Sequence, residues 1–284
     1  MELNRFARRD ALGDRTASDG PVRDGAIPGG WRTIAAGAFE MGSPPSEPCR
    51  RDDERQHGVT LTRAFEIMTT EVTQRQFQDL LGYNPSAHKS CADCPVDSVT
   101  WHQAAVYCNA LSAKAGLTAC YSCSGPKETP SCGEAAGSAG GQLYGCPGYR
   151  LPTEAEWERA YRAGTTTSFF GGPIANCESD SVLDPFAWYK LNSGSATREV
   201  AKKQASPEGL FDMGGNVLEW VNDWDGPYPS SPVTDPTGPA SGSERGLRGG
   251  SFAFRAEEAR AAARLPSAPS DHYNDFGFRV ARTR

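Results

Sequence analysis

Residues Gly209 to Trp224 read GLFDMGGNVLEWVNDW, and the rest of the chain is organised around them. Two adjacent glycines, Gly214 and Gly215, interrupt an otherwise apolar and acidic run. In a regular helix or strand each glycine would cost roughly 1 kcal/mol, so the backbone is expected to turn here. The turn collects oxygen donors: the carboxylates of Asp212 and Glu219, the amide of Asn216, and main-chain carbonyls that a glycine bend can point inward. A hard cation such as Ca²⁺ takes about six to eight oxygens of this kind. The same run also reads as a capped loop whose acids face water.

Three further stretches change the balance: GYRLPTEAEWERAYRAG (Gly148 to Gly164), LRGGSF (Leu247 to Phe252) and GFRVAR (Gly277 to Arg282). With GLFDMGGNVLEW, and in the same order, they resemble the formylglycine-generating enzyme, or sulfatase-modifying-factor, family, over about residues 30 to 284. The resemblance implies an α+β chain with an irregular C-type-lectin-like fold, little regular secondary structure and bound calcium. It places the better-supported calcium on the side chains of Asp212 and Glu219 and the carbonyls of Gly215 and Val217. A first calcium would rest on Asn192 and the Ser193 carbonyl, in NSGSATREV. Asp212 stands where many members carry Asn, a change that favours a hard cation. Leu218 stands where Trp is usual, which makes one wall of the neighbouring groove smaller.

Composition is consistent with that expectation. The chain holds 31 glycines and 21 prolines among 284 residues, so turns and irregular loops must make up much of it. A formal charge of −6 without a basic stretch argues against nucleic acid, which requires clustered Lys and Arg. No apolar run reaches the roughly 18 residues of a membrane span. Nine cysteines, several in Gly/Ser/Pro-rich sequence, read as a disulfide framework and favour an extracytoplasmic or secreted setting. The N-terminal sequence MELNRFARRDALGDRTASDG has no apolar signal core, so a cytoplasmic setting stays open.

In chain order, residues 1–29 are charged and apolar-poor and read as a flexible tail ahead of a domain over 30–284. WRTIAAGAFEMGS (Trp31 to Ser43) and Val59 to Ile67 read as one strand each. Three helix starts carry a capping box: Thr73 with Gln76, Thr100 with Gln103, and Thr153 with Glu156, the first and last helices stopped by Gly82 and Gly164. Glu154 and Glu156 sit in a first turn, where the helix dipole explains acids without catalysis. The E-V-T-x-x-x-F run from Glu71 to Phe77 reads as packing.

Cys91 and Cys94 form a C-x-x-C without a second pair for zinc or a thioredoxin-like context, and read as bonded to each other or to other loop cysteines. Cys108 falls on the buried face of a helix. The insert over 117–149 holds Cys120, Cys123, Cys132 and Cys146 and too few large apolar residues for its own core, so disulfides are expected to staple it, with three pairings open. The odd total leaves one cysteine over, with Cys49 and Cys177 the first candidates.

The family's oxidases carry two copper-binding cysteines after G-G-S, and soft thiolates are what Cu(I) requires. Here the run from Ser251 to Arg282 has none: Phe254 replaces the first, the second falls near Ala259, and Cys177 is the last cysteine in the chain. Oxidase activity and copper are therefore not expected, and no catalytic residue is assigned. The four histidines lack an iron-site spacing, and Ser251 with His272 and Asp271 or Asp275 lacks a nucleophile elbow. The remaining expectation is a binding module for a peptide or a carbohydrate, or an accessory module acting through partner contacts alone. The binding groove is drawn from Ser251, Phe252, Phe254, Arg255, Arg264, His272, Tyr273 and Asn274, with Trp220 and Trp224 from the central stretch, because aromatic rings beside Arg and Asn join apolar contact to directed hydrogen bonds. Arg264 and Arg279 also read as braces of the fold. The alternative is a copper-dependent formylglycine-generating oxidase, or another oxidoreductase on the same fold.

Overall fold

A computed structural model describes residues 30–138 and 142–284, so the tail expected over 1–29 lies outside the described residues. The described chain is α+β with little regular secondary structure, as the sequence implies. All three capping boxes are present. Thr73, Thr100 and Thr153 accept from the N3 amides, and Gln76, Gln103 and Glu156 reach back to the cap amides, ahead of α1 (Gln74–Leu81), α2 (Trp101–Lys114) and α3 (Glu154–Arg162). Each cap contributes about 0.5–2 kcal/mol, which matters for helices this short. Gly82 ends α1 in the left-handed conformation, whereas α3 is closed by Ala163 one residue before Gly164.

The two long strands expected near the N-terminus are each broken in two. Trp31 to Ser43 becomes β1 (Trp31–Ile34) and β2 (Gly37–Met41), and the second becomes β3 (His57–Leu61) and β4 (Phe65–Met68). The reason is partner choice. β1 pairs with β4 beside β12 (Ala281–Thr283), while β2 pairs with β3 beside β8 (Val233–Thr234), so both segments must bend from one sheet to another. Asp235 holds the second bend by accepting from the Thr62 amide at 2.8 Å.

The central sheet runs β10 (Arg264–Ser267), β9 (Arg245–Arg248), β7 (Leu218–Trp224), β11 (Phe276–Gly277). β7 is interior, and six of its seven residues are buried, so both of its faces meet protein. That explains Trp220, which is fully buried and donates its indole N–H to the Val99 carbonyl at 2.7 Å. It belongs to the main core cluster with Trp101, Phe77 and Phe278, and the groove assignment for it is corrected.

Four disulfides form: Cys91–Cys94, Cys120–Cys146, Cys123–Cys132 and Cys49–Cys177. The insert is stapled as expected, with Cys123–Cys132 bridging the hairpin of β5 (Tyr121–Ser124) and β6 (Ser131–Glu134). The expectation that Cys49 or Cys177 stays single is overturned. Those two meet across 128 residues of sequence, and the free thiol is Cys108, buried on α2, where burial pushes its pKa above the usual thiol range. Four disulfides are the mark of an oxidising compartment. Among the described residues no helix is long and apolar enough to cross a membrane.

Candidate functional site

The central bend is held by backbone geometry that only part of its sequence predicts. Gly215 has φ 84°, and a Cβ there would lie 2.3 Å from the Trp188 carbonyl oxygen, so only glycine fits. Asp212 and Asn216 also take left-handed φ values of 52° and 59°. Asn216 fixes the bend by accepting from the Arg198 amide at 2.9 Å and donating to the Arg198 carbonyl at 3.1 Å.

Behind the bend lies a buried cluster of acids. Glu219 is gripped by Arg279, whose Nε and Nη2 each donate at 2.6 Å, and accepts from the Trp157 indole at 2.8 Å. Asp212 accepts from the Ala201 amide through Oδ2 at 2.7 Å, but its buried Oδ1 has no hydrogen-bond partner. Glu71 joins them from the start of the α1 segment. Its carboxyl is fully buried, and neither oxygen has a partner. Burial, then the charges of Asp212 and Glu219, push Glu71 well above the usual carboxylate range, and burial lifts Asp212 to about 6. Buried polar atoms are normally paired, so three orphaned oxygens beside a single guanidinium mark a site short of positive charge.

These orphaned oxygens are hard donors of the kind a divalent cation takes. Among the described residues, the only three His, Cys, Asp or Glu ligand atoms mutually within 4.8 Å are those of Cys49, Cys177 and Glu257, and those sulfurs are bonded to each other. The carboxylate oxygens of Glu71, Asp212 and Glu219 do not all lie that close together. The stretch around Asn192 and Ser193 is different. Arg198 Nε donates to the Ser193 carbonyl at 2.5 Å, and Asn192 is spent on a turn, accepting from the Tyr189 amide at 2.9 Å and donating to the Ala187 carbonyl at 3.0 Å. A guanidinium already answers the oxygen that the resemblance gives to a first calcium.

The remaining groove residues separate into two places. Ser251 and Phe252 are buried: Ser251 Oγ donates to Asp275 at 2.7 Å, and the Phe252 ring stands edge-on to His88, 5.4 Å between centroids. Burial raises the Asp275 pKa, with the neighbouring Asp97 charge adding to it. His272 is exposed and contacts the Ser270 carbonyl at 3.3 Å, so no imidazole activates Ser251. Phe254, partly buried, packs against the core where the family's first copper cysteine falls. The disulfide Cys49–Cys177 does lie beside the adjoining turn, since the Glu257 amide donates to the Cys177 carbonyl at 3.0 Å, but its sulfurs carry no thiolate. Arg255 is exposed and paired with Glu178. Asn274 is exposed, as is Tyr273, whose 60 % exposure is exceptional for a large aromatic. His272 lines an open groove of about 460 Å³ shared with Ser98, Thr100, His102 and Glu128.

Arg264 and Trp224 lie elsewhere. Arg264 is buried, bound to Glu154 at 2.6 and 2.9 Å and to Asp225 at 3.1 Å, and Trp224 lies under Arg245 at 3.5 Å from ring to guanidinium. Both line a separate cavity of about 330 Å³. Their place in the C-terminal groove is corrected: Trp224, at the end of β7, and Arg264, at the start of β10, line this other cavity, where Arg264 finds its acids. Arg264 and Arg279 are braces, as expected.

The chain is similar to "Chaperone protein LppX" of Paenibacillus barcinonensis, 34% identical over 61% of this chain and 66% of that protein. It is similar also to the formylglycine-generating enzyme of Streptomyces coelicolor, 35% identical over 47% of this chain and 46% of that enzyme. The chain thus spans about two thirds and about half of these relatives. Among solved structures, the Treponema denticola variable protein 1 superposes with a TM-score of 0.76 at 33% identity, over 89% of this chain and 95% of that one. A family model described as the sulfatase-modifying factor enzyme 1-like domain matches residues 29–284, and the chain belongs to that family.

Proposed function

We propose that this chain is a calcium-stabilised binding module that does not perform the thiol–copper oxidation of its enzymatic relatives. The observation that carries the proposal is the buried acid cluster, where Glu71 and Asp212 hold three oxygens without partners against one arginine. A calcium ion there would be held by Asp212 and Glu219, with the Gly215 and Val217 carbonyls assigned by the resemblance and Glu71 supplying further charge. It would tie the central bend to α1 and to the C-terminal strand. Copper has no place in this reading, because the segment after Gly249-Gly250-Ser251 carries no cysteine.

The ligand surface is the groove beside Tyr273, His272 and Asn274. An exposed tyrosine next to an open, polar-walled groove suits an extended polypeptide or a sugar chain. The relative bearing the name of a chaperone favours the polypeptide. Four disulfides support an extracytoplasmic setting for such a module.

Metal analysis of protein purified without chelator is expected to return calcium and no copper. Peptide and glycan arrays are then expected to show binding that Tyr273→Ala removes and that chelation weakens by loosening the fold. The copper-oxidase alternative has its own test, a Cu(I) titration with an oxygen-dependent assay on a cysteine peptide. Tight Cu(I) binding with aldehyde formation would overturn the proposal.

A further inference from the structure

We infer that the cavity of about 330 Å³ beneath the proline-rich excursion over 225–243 is a second ligand site, and that it takes a primary ammonium group carried on an apolar body. Three polar groups on its wall have unused capacity. Asp223 spends Oδ2 on the Glu154 amide at 2.9 Å, at the first turn of α3, and no hydrogen bond reaches its other oxygen. The buried Tyr228 hydroxyl lies near enough to Glu154 for its proton to lower that carboxyl's pKa, and no group donates to its oxygen. His57 is buried, and its Nδ1 lies 3.1 Å from the Arg55 carbonyl. A carbonyl only accepts, so Nδ1 carries a proton there, and in that tautomer Nε2 offers a lone pair. A carboxylate, a lone-pair nitrogen and a hydroxyl oxygen are three acceptors, and an ammonium has three donors and no acceptor.

Charge points the same way. The titratable lining is Glu154, Asp223, His57, Tyr228 and Arg264. Arg264 is consumed by Glu154 in a two-pronged pair, which leaves Asp223 as the acid without its own guanidinium. Arg245 acts on Asp223 through its charge, yet its hydrogen bond goes to the Asn222 carbonyl. Burial, followed by the Glu154 charge, raises the Asp223 pKa, a strain that a bound cation relieves. The rest of the wall is largely apolar, with Met41, Trp224, Val233 and the prolines of the excursion, and suits an alkyl or aryl chain. A sugar ring fits less well, because one face of Tyr228 is covered by Arg264 at 4.0 Å and one face of Trp224 by Arg245.

Two sources share this chemistry, a free amine and a lysine side chain. Titrations of the full chain with n-hexylammonium, Nα-acetyl-lysine N-methylamide and hexan-1-ol, followed by calorimetry and by the Trp224 indole N–H resonance, separate them. Hexylammonium is expected to bind at least tenfold more tightly than hexanol, and whichever of the two amines binds better names the source. Asp223→Asn keeps an acceptor for the Glu154 amide and is expected to lose tenfold or more. Tyr228→Phe, which needs no refolded cap, is expected to lose a few-fold and serves if the first variant does not fold. Equal binding of hexanol, no binding of either amine, or unchanged affinity in the variant that folds would overturn the assignment.

Discussion

Two buried charged regions in this molecule use the same residue types to opposite effect. Around α3 and the central sheet, Glu47, Glu54, Glu154 and Glu158 are matched to arginines. Arg260 holds Glu54 at 2.6 and 2.7 Å and Glu47 at 2.9 Å, Arg162 holds Glu158 at 2.8 Å, Arg248 also meets Glu158, and Arg264 holds Glu154. At the central bend, Arg279 is the one ion-pair partner of Glu71, Asp212 and Glu219 among the described residues, with the Lys203 charge acting on Asp212. In the first region each of the four glutamates named has its arginine. The second has orphaned oxygens, to which no group among the described residues donates a hydrogen bond. A buried charge without a partner costs several kcal/mol, so such a cluster has two ways out: to take up protons, the direction in which burial pushes Glu71 and Asp212, or to hold a cation.

The comparison can be broken most strongly with acid. Burial alone would raise Glu54 and Glu154, but the hydrogen bonds and charge of Arg260, and the charges of Arg264 and Arg248, outweigh it and hold both acids below the usual carboxylate range. A depressed folded-state pKa contributes stability that is present above the unfolded value, about 4.5, and is lost as pH falls through the folded value. Urea unfolding is therefore expected to show stability falling steeply below about pH 4.5, by more than any single substitution achieves. A flat profile down to pH 3 would mean that the matched region contributes little. Next in size is Arg260→Met, which leaves Glu54 and Glu47 without their guanidinium. It is expected to cost about 3–5 kcal/mol, with or without calcium.

Chelation addresses the other region. If the central cluster binds calcium, saturation at a hundred times the dissociation constant adds about 2.7 kcal/mol. At roughly 2–4 °C per kcal/mol for a large domain, EDTA is expected to lower the melting temperature by about 5–10 °C, and Ca²⁺ to restore it. An unchanged melting curve in metal-free protein would show that the orphaned acids are protonated instead.

Which of these features the sequence disclosed follows from how local they are. The capping boxes at Thr73, Thr100 and Thr153 are decided within four residues and are all present. The Gly214-Gly215 bend is equally local, as is the Cys91–Cys94 bridge. Trp220 misled because aromatic residues beside a motif look like a groove, whereas an interior strand buries both of its faces. Cys49 and Cys177 misled because their pairing depends on bringing distant loops together, a contact with no trace in spacing. Glu71 is the instructive case. Its run carries the helix pattern that marks packing, and its carboxyl meets Asp212 and Glu219 only once α1 is set against β7. The one local signal was an acid just ahead of a capped helix in an otherwise buried segment, which asks what satisfies its oxygens.

Glu71 also supplies the smallest and most discriminating test. Glu71→Gln keeps the shape of the side chain, removes one negative charge from a cluster that has too many, and gives Asp212 a donor. In EDTA the variant is expected to be as stable as the parent or slightly more so, because the group it replaces has no partner to lose. In calcium it is expected to bind the ion about tenfold more weakly, which forgoes about 1.4 kcal/mol of stabilisation at a fixed concentration. The two melting curves should therefore cross in order between EDTA and calcium. The matched region offers the control: Glu54→Gln breaks a pair that Arg260 already completes, so it should destabilise equally under both conditions. If Glu71→Gln behaved like Glu54→Gln, losing stability without regard to calcium, the two regions would be alike after all, and the orphaned oxygens would be satisfied by water.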